Sequence, residues 1–559
     1  MAEVISRIYA NFRGADFRGA EVNLVRSPDC LNVWKDYKEI DSIRTRPEMA
    51  LKEMFNAPVW GVFFYKVGNT ESMLVHSGTT LYKITNGIKT TLYTGLNKVR
   101  SNGFVYNNVW YFKDGIHYLM YDGNEVKEVE GYIPTTSIGR KPGGGGTIYE
   151  DVNMLSDYRI NTFLADGESK EFVLDSMGIS EDYVPIVTVD GAGTTDFTTD
   201  YANGKITFNT APPTPLTDGQ DNVSVKFKKK VEGYRDKINK CTLLQVFDNR
   251  VFFSGNKDFP NVIFHCSLND PSYCSDLDYY NEGLDTSEVK GLVAGNNVLW
   301  VFKEPSQENT TVFYHNPTID SEYGKIYPST HSNIAIGCVG KAINFNDDII
   351  FFSDRGMEAI NGDVTTEQVI AHRSTLIDRK LLREADYKNM ILEEWEGYLM
   401  IFIGDKVYLA DSRGTFTNEK HIEYEFFYWQ MGKKITSTTV YNGILYIGTE
   451  DGIYTLTDIE SDVESYWTTP IDKFENPHLQ KTSNKRGCVV EATGDITVSA
   501  KTDKTEWEEI GTHENVTDYF TSRIKRKKFK DIQLKFSSKT RFSLETATLE
   551  CFIGGYIKR

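Results

Sequence analysis

Apolar and polar residues alternate in short bursts along most of the chain, and polar turns separate one burst from the next. The stretch NGILYIGTEDGIYTL, residues 442–456, holds two such bursts around the turn Glu450-Asp451-Gly452. Leu445 and Ile447 are separated by a single residue, the period of two that places side chains on one face of a β-strand. An Asp-Gly pair between two such runs indicates a hairpin, because glycine accepts positive φ without steric cost. The stretch therefore predicts two antiparallel strands, with positive φ at Gly452.

Relatives of this pattern recur along the chain. The first apolar residue after each turn serves as a marker, and the markers are Val75, Val109, Val251, Val298, Ile349, Leu399 and Leu445. From Val251 onward the intervals between markers are about 47, 51, 50 and 46 residues, the length expected for a propeller blade of four antiparallel strands. The pattern predicts an all-β fold, a β-propeller of about six or seven blades.

One interval, from Val109 to Val251, is about 142 residues and exceeds a blade by about 90. It begins with the run RKPGGGGT, residues 140–147, and ends near the basic run KFKKKVEGYR, residues 226–235. Between them lie short alternating segments separated by Asp-Gly, Asn-Gly and Pro-Pro turns, which indicate a self-contained β-sandwich. The glycines Gly143–Gly146 do not have the order of a phosphate-binding loop and are interpreted as a flexible linker.

These boundaries divide the chain into four predicted parts. They are an N-terminal segment with the first blades (1–147), an inserted β-sandwich domain (148–235), the remaining blades (236–470) and a C-terminal β domain (471–559). One helix is predicted, between Ser374 and Glu384, where apolar residues fall on one face.

Composition narrows the class of protein. The chain has 559 residues, 13% aromatic residues and a formal net charge of −17. It has no apolar run of membrane-spanning length and no secretion signal, so we expect neither a membrane span nor export. The seven cysteines are scattered and odd in number, which favours reduced thiols in a protein made in a cytoplasm.

A search for chemistry in the sequence finds no motif. The nine histidines include no HExxH pair, and there is no CxxC. His265 and Cys266 are adjacent but lie on a predicted strand, where neighbouring side chains point to opposite faces. The turns at 353–356 and 449–452 resemble sialidase aspartate boxes only in part and are interpreted as hairpin turns. The sequence therefore predicts no catalytic, cofactor-binding or metal-binding residues, no cofactor, and no enzymatic activity, although a glycosidase carboxylate pair stays open.

The basic run RIKRKKFK, Arg523–Lys530, is the sharpest local charge feature of this acidic chain. It has few interleaved aromatic residues, so a nucleic-acid site is the weaker interpretation. A solvated strand edge, or a docking site for an acidic neighbouring subunit, is the preferred one.

Several segments, taken in order, resemble bacteriophage tail hub or nozzle proteins, the group of tail tubular protein B and packaged-DNA stabilisation proteins. The segments are Asp29-Cys30-Leu31-Asn32 through Asp36, Arg46-Pro47, 246–276, 289–304, 336–360 and the terminal strand CFIGGYIKR. The resemblance implies a structural virion protein: a propeller subunit in a closed, commonly sixfold ring on the tail axis. The family brings no catalytic residues.

The resemblance also implies partners and a location. The ring would contact a head–tail adaptor, connector or portal-proximal proteins, and tail fibres or other tail proteins. Genomic DNA would pass through it without sticking during retention and ejection, for which a negative charge is suitable. The protein would be made in the host cytoplasm and located in the virion. Two alternatives stay open: a carbohydrate-binding or glycan-cleaving propeller, and a protein-interaction scaffold propeller, which is disfavoured because Trp-Asp and Gly-His blade pairs are missing.

Overall fold

The computed structural model describes residues 4–37, 42–308, 310–321, 324–361, 369–418, 421–458, 462–525 and 528–556. Almost all of the regular structure is β, arranged in many small antiparallel sheets. The predicted all-β propeller with additional β domains is confirmed.

Seven four-stranded antiparallel sheets form the blades in the described part of the chain. Blade 1 consists of the strands Val59–Val67, Thr70–Ser77, Thr80–Thr85 and Ile88–Thr94, and blade 2 of Asn102–Tyr106, Val109–Lys113, Tyr118–Tyr121 and Val126–Glu128. Blade 3 consists of Leu243–Phe247, Arg250–Ser254, Val262–His265 and Tyr279–Asn281, and blade 4 of Val289–Gly295, Val298–Lys303, Val312–His315 and Ser329–His331. A small hairpin, Thr318–Asp320 with Gly324–Ile326, precedes the last strand of blade 4.

Blades 5 to 7 follow the same order. Blade 5 consists of the strands Ala342–Phe345, Asp348–Ser353, Gly356–Asn361 and Val369–His372. Blade 6 consists of Ile391–Trp395, Tyr398–Ile403, Lys406–Asn418 and His421–Gln430. Blade 7 consists of Ile435–Tyr441, Ile444–Thr449, Gly452–Thr457 and Glu48–Met54. Blade 7 is thus completed by a strand from the N-terminal segment, Glu48–Met54, which pairs with Gly452–Thr457.

A recurring two-residue turn explains the repeated sequence signal. In six blades the first and second strands are joined by a pair of residues that both have positive φ: Asn107-Asn108, Asp248-Asn249, Asn296-Asn297, Asn346-Asp347, Glu396-Gly397 and Asn442-Gly443. Positive φ at both positions is the type I′ turn, whose twist matches that of a hairpin. Asn, Asp and Gly tolerate this conformation best, so each blade carries a polar pair directly before its second strand.

The chain divides into two compact units. Unit 1 comprises Met1–Phe64, Ser72–Thr90 and Asn333–Arg559, and it contains blades 5 to 7 and most of blade 1. It also contains an eleven-stranded sheet, called here the terminal sheet. Its strands are Val4–Tyr9, Cys30–Leu31, Val33–Trp34, Ile43–Thr45, Ser465–Thr468, Leu479–Thr502, Thr505–Val516, Tyr519–Ser522, Lys528–Phe529, Ile532–Ser538 and Phe542–Tyr556.

Unit 2 comprises Tyr65–Glu71 and Thr91–Ser332, and it contains blades 2 to 4 and the inserted domain. The inserted domain has a six-stranded and a three-stranded sheet. The strands of the first are, in spatial order, Thr147–Ile148, Thr135–Arg140, Tyr158–Phe163, Val223–Lys228, Ile186–Val189 and Ala192–Thr194; those of the second are Glu171–Val173, Lys205–Phe208 and Phe197–Asp200. In chain order the first strand of the inserted domain begins at Thr135, before the predicted boundary at residue 148. The last strand ends at Lys228, before the predicted boundary at residue 235.

Helices are short and few in the described residues. They are Tyr234–Asn239, Asp378–Leu381 and the single 3-10 turn Tyr387–Asn389. The helix predicted between Ser374 and Glu384 is therefore reduced to one turn. Its start has no side-chain cap, because the N-cap residue is Ile377, whose apolar side chain cannot accept a hydrogen bond. The carboxylate of Asp378, the first helical residue, bonds to His372 and Ser374.

Candidate functional site

His265 and Cys266 are both buried in blade 3. The His265 Nδ1 atom lies 3.1 Å from the carbonyl oxygen of Cys266, and Cys266 Sγ accepts a hydrogen bond from the Val251 amide at 3.0 Å. Burial lowers the pKa of His265 to about 4 and raises the pKa of Cys266 to about 12. A neutral imidazole and an undissociated thiol have neither the charge nor the access for nucleophilic chemistry. Cys266 packs in a buried cluster with Val251, and His265 packs against Phe252 and Tyr327.

A second buried pair, formed by Glu282 after the last strand of blade 3 and His315 of blade 4, carries no sequence signal. His315 Nε2 lies 3.1 Å from Glu282 Oε1, with both side chains fully buried. The two atoms are within ion-pair distance but are not aligned for a hydrogen bond. Ser329 donates to Glu282 Oε2 at 2.6 Å, and His315 Nδ1 lies 2.8 Å from the carbonyl of Tyr327. Only the folded sheet brings these residues together, so no spacing rule would find them.

A partly exposed cluster in blade 5 combines a hydroxyl, an imidazole and two carboxylates. His372 Nδ1 lies 3.2 Å from Glu358 Oε1, and His372 Nε2 lies 2.6 Å from Asp378 Oδ2. Ser374 Oγ is 3.5 Å from His372 Nε2 but donates to Asp378 Oδ1 at 2.6 Å and accepts from the Met357 amide at 2.8 Å.

The charge of this cluster determines what it does. Burial lowers the pKa of His372, but hydrogen bonds to Asp378 and Glu358 outweigh it and raise the pKa to about 10. The imidazole is therefore a cation at neutral pH and has no lone pair to activate Ser374. The cluster is an ion-paired clamp that joins the last strand of blade 5 to the helix Asp378–Leu381.

The glycine run is a structured turn, so its interpretation as a flexible linker is wrong. It joins the strands Thr135–Arg140 and Thr147–Ile148 inside the inserted domain. Gly144, Gly145 and Gly146 have φ of 111, 78 and 92°. A Cβ on Gly146 would lie 2.7 Å from the carbonyl oxygen of Ile138. Glycine is required here by backbone shape and close approach, which sequence order does not reveal.

The two sialidase-like segments are tight turns. In blade 5 the Arg355 amide donates to Ser353 Oγ at 3.0 Å, and in blade 7 Thr449 Oγ1 donates to Asp451 Oδ1 at 2.7 Å. The predicted positive φ at Gly452 is wrong, because this residue lies within the strand Gly452–Thr457 and is not among those with positive φ. A Cβ there would lie 2.6 Å from the carbonyl oxygen of Glu53, so the close neighbouring strand requires glycine.

The described part of the basic run lies at strand ends of the terminal sheet. Lys528 and Phe529 pair with the long strand Leu479–Thr502, and Phe529 is buried while Lys528 is exposed. Residues 526–527 lie outside the described residues. The Lys530 amide donates to Asp503 Oδ1 at 2.8 Å.

The inserted domain carries a set of strongly exposed apolar side chains. The exposed fractions are 94% for Leu216, 83% for Ile148, 72% for Met177, 68% for Val184 and 53% for Ile186. Val184 and Ile186 line a groove of about 640 Å³, which lies beside the last strand of each sheet. A smaller pocket of about 430 Å³ on the same domain is mainly polar, and its polar lining residues are Thr162, Thr188, Asp190, Thr217, Gln220, Asp221, Asn222 and Ser224.

Within the described ranges, no group of three or more His, Cys, Asp and Glu side chains is placed to hold a metal ion. None of the helices there is long and apolar enough to cross a membrane.

Comparison with known proteins adds only distant structural likeness. No protein-family model matches the chain, and no curated protein matches it. BamB from Moraxella catarrhalis is similar at 12% identity with a TM-score of 0.33, covering 73% of this chain and 97% of that one. The exo-β-1,3-galactanase of Phanerochaete chrysosporium is similar at 9% identity with a TM-score of 0.20, covering 92% and 98%. The WD40 domain of SCAP from fission yeast is similar at 8% identity with a TM-score of 0.26, covering 73% and 98%.

These comparisons correct one prediction. Glycoside hydrolases are among the similar solved structures, so the exclusion of enzymatic activity drawn from sequence motifs does not stand. The reason is physical, because a glycosidase needs only two carboxylates placed by the fold, and no sequence motif announces them. At these identities and TM-scores the likeness carries no argument for a particular activity.

Proposed function

We propose that this chain is a structural interaction protein, a β-propeller that holds an inserted β domain and a terminal sheet for binding other proteins. The observation that carries the proposal is the exposed apolar wall of the groove in the inserted domain, where Val184 and Ile186 lie together and are 68% and 53% exposed. Apolar surface left in water is unfavourable, and an exposed apolar groove typically marks a site of protein association.

The setting that we propose is the tail hub or nozzle of a bacteriophage. Its support is the resemblance of the N-terminal segment, whose motif residues have specific structural roles. Asn32 is buried with positive φ, donates to the carbonyl of Glu464 at 2.8 Å and accepts from the Gln430 amide at 2.8 Å. Arg46 donates to Asn32 Oδ1 at 3.0 Å and to the Gln430 carbonyl at 2.9 Å.

A buried ion pair continues this motif. Asp36 Oδ2 lies 2.7 Å from Arg44 NH1, and both side chains are about nine-tenths buried or more. Removing one partner of a buried pair is costly. The residues that carry the resemblance are therefore those that fix the N-terminal segment in the fold. The proposal rests on the inference that the tail proteins hold their N-terminal segments with the same residues.

The proposed partners follow from the same setting. Copies of the chain would form a closed ring, with six copies as the expected number, between an adaptor or portal-proximal protein and tail fibres or other tail proteins. The net charge of −17 supports passage of DNA without binding, because a polyanion is repelled by an acidic surface.

The decisive experiment is to locate the protein in virus particles. Particles produced from a genome that encodes this chain are purified, and the chain is detected by mass spectrometry and by antibody labelling in electron micrographs. We expect a few copies per particle, labelled at the tail. Absence from purified particles overturns the tail proposal, and duplex binding tighter than about 1 mM at low salt overturns the role in DNA passage.

A second candidate function, glycan binding, is favoured by the polar pocket of the inserted domain. Eight of its twelve lining residues have polar side chains. Hydroxyl, amide and carboxylate groups are the donors and acceptors that recognise sugar hydroxyls. Binding of the chain to a glycan array, lost on Gln220→Ala and Asp190→Ala, would support this candidate; no binding would remove it.

A further inference from the structure

The groove of the inserted domain lies where both of its sheets end. It has a volume of about 640 Å³ and is lined by Val184, Pro185, Ile186, Val187, Gly193, Thr194, Thr195, Phe197, Thr198, Thr199 and Tyr201. Among the described residues, the strand Ala192–Thr194 pairs with Ile186–Val189 alone, and the strand Phe197–Asp200 pairs with Lys205–Phe208 alone. The groove is therefore flanked by two strands that each have an unpaired side.

The turn before the strand Ala192–Thr194 fixes which backbone groups face outward. Asp190 and Gly191 have φ of 48 and 79°, a two-residue type I′ turn in which Val189 opposes Ala192. In such a hairpin the residues next to the turn exchange hydrogen bonds, and the following pair does not. The N–H and C=O of Gly193 consequently point away from Ile186–Val189, toward the unpaired side.

The face of the strand at Gly193 is open as well, since a Cβ there would meet no atom within 4 Å. The neighbouring wall is apolar, because Val184 and Ile186 are 68% and 53% exposed and Phe197 and Tyr201 are partly buried against the core of the domain. An occupant that covers these side chains gains about 25 cal/mol for each Å² of apolar surface removed from water.

The segment that forms the groove is acidic. Residues 181–204 contain five carboxylates, Glu181, Asp182, Asp190, Asp196 and Asp200, and no Lys or Arg. Asp182 is paired with Lys228 at 2.5 Å, whereas Asp196 and Asp200 accept hydrogen bonds from the neutral amides of Asn209 and Asn203. Each of the last two adjoins lining residues of the groove in sequence, Thr195 and Phe197 or Thr199 and Tyr201. Lys205 lies opposite Asp200 on the adjacent strand, but its ammonium group pairs with Glu171 at 3.5 Å. A basic occupant therefore complements the charge of the rim.

We propose that the groove binds an extended, basic segment of a partner protein, in which Lys or Arg alternates with Val or Ile. The segment adds a strand to Ala192–Thr194 by hydrogen bonding to Gly193, its apolar side chains cover Val184 and Ile186, and its cations face Asp196 and Asp200. Strand addition supplies affinity through the main chain, and alternate side chains supply specificity. This inference rests on the proposed role as an interaction protein and names the chemistry of one partner.

The test measures fluorescence anisotropy of labelled peptides of about ten residues with the full-length chain. One peptide alternates Lys with Val, and its partner has Glu in place of Lys. We expect saturable binding of the basic peptide alone, weakened at least about tenfold by Val184→Ser with Ile186→Ser, and also by Asp196→Asn with Asp200→Asn. Raising NaCl from about 50 to about 300 mM should weaken it further, because exposed charges are screened.

The matched control is Met177→Ser, which removes an equally exposed apolar side chain of the same domain outside the groove. It should leave the affinity unchanged. The inference is overturned if the basic peptide does not bind, if the acidic peptide binds equally, or if the groove variants bind as tightly as the control. It is also overturned if sedimentation shows self-association that the groove variants abolish, because the occupant is then a second copy. Detection in virus particles is independent of all these outcomes, so the two proposals can fail separately.

Discussion

The inserted domain and the terminal sheet are both β structures added to a propeller, but they are encoded differently. The inserted domain uses one continuous stretch, from Thr135 to Lys228, and has its own core around Phe172 and Val225. The terminal sheet uses both chain ends: Val4–Tyr9 pairs with Phe542–Tyr556. Contiguous encoding makes a module with a separate core, whereas encoding by both ends joins the sheet to its neighbours.

The core of the terminal sheet is continuous with that of two blades. Trp467, Phe536 and Leu544 of the sheet belong to the same buried cluster as Trp429 of blade 6 and Leu445 of blade 7. Residues 471–559 therefore share their hydrophobic core with the propeller within unit 1. A domain boundary inferred from composition therefore says little about whether the two sides are separable.

The largest expected effect is that of removing residues 471–559. A chain that ends at Pro470 loses the strands Leu479–Thr502 and Phe542–Tyr556, so buried residues such as Tyr9 and Trp467 become exposed to water. The free energy lost by exposing this much apolar surface exceeds the whole stability of a domain, which is about 5–15 kcal/mol. We expect an insoluble or non-cooperatively melting chain, measured by soluble yield and circular dichroism.

The matched control shortens the inserted domain instead. Phe163 and Val223 are direct partners on adjacent antiparallel strands, so a two-residue Asn-Gly turn can replace residues 164–222 and leave a hairpin. This variant should still melt cooperatively. Folding of the chain that ends at Pro470, together with failure of the shortened variant to fold, would contradict this difference between the two regions.

The blades were predictable because each is made of local hairpins. The polar pair before each second strand, such as Asn442-Gly443, and the alternation after it lie within a few residues of each other. The terminal sheet was predictable only as a set of strands. Its assembly depends on pairings such as Ile5 with Cys551, and no local pattern specifies which distant strand will be a partner.

The candidate surfaces were less predictable than the fold. Exposure of Leu216 or Val184 depends on which face the sandwich turns outward, and alternation alone does not say which face is buried. The turn formed by Gly143–Gly146 is predicted as a linker because its glycine run lacks the order of a phosphate-binding loop, while its close approach to Ile138 and Arg140 forms only in the sheet. The cluster around His372 joins residues from three elements for the same reason.

A second prediction concerns the attachment of the inserted domain. Asn153 is buried, donates to the carbonyls of Tyr132 and Ser272 at 2.8 and 2.9 Å, and accepts from the amides of Leu155 and Cys274 at 3.0 Å each. Asn153→Ala leaves these buried groups without partners, so we expect a loss of about 3 kcal/mol in the free energy of unfolding, measured by urea titration.

The control for this variant is Asn209→Ala, which removes one exposed hydrogen bond, to Asp196, and should cost less than about 0.5 kcal/mol. Equal costs for the two variants would mean that the segment around Asn153 is not what joins the inserted domain to blade 3. The same contacts explain why replacing residues 148–235 as a block should destabilise the chain, since Met154 and Leu155 belong to the core shared by blades 2 and 3.

The smallest expected effect tests whether the two chain ends stabilise each other. Arg7 Nε lies 2.9 Å from Asp472 Oδ2, and Asp472 is nearly buried and also accepts from the hydroxyl of Tyr9 and the amide of Phe474. A double-mutant cycle with Arg7→Met and Asp472→Asn should give a coupling energy of about 1 kcal/mol, because Arg7 keeps some contact with water. The Lys473–Glu21 pair joins the same two regions but is well exposed, so its cycle, measured by the same urea titrations, should give about 0 kcal/mol. A coupling of about 0 kcal/mol for Arg7 and Asp472 as well would show that the pairing of the ends depends on the sheet alone and gains nothing from the buried carboxylate.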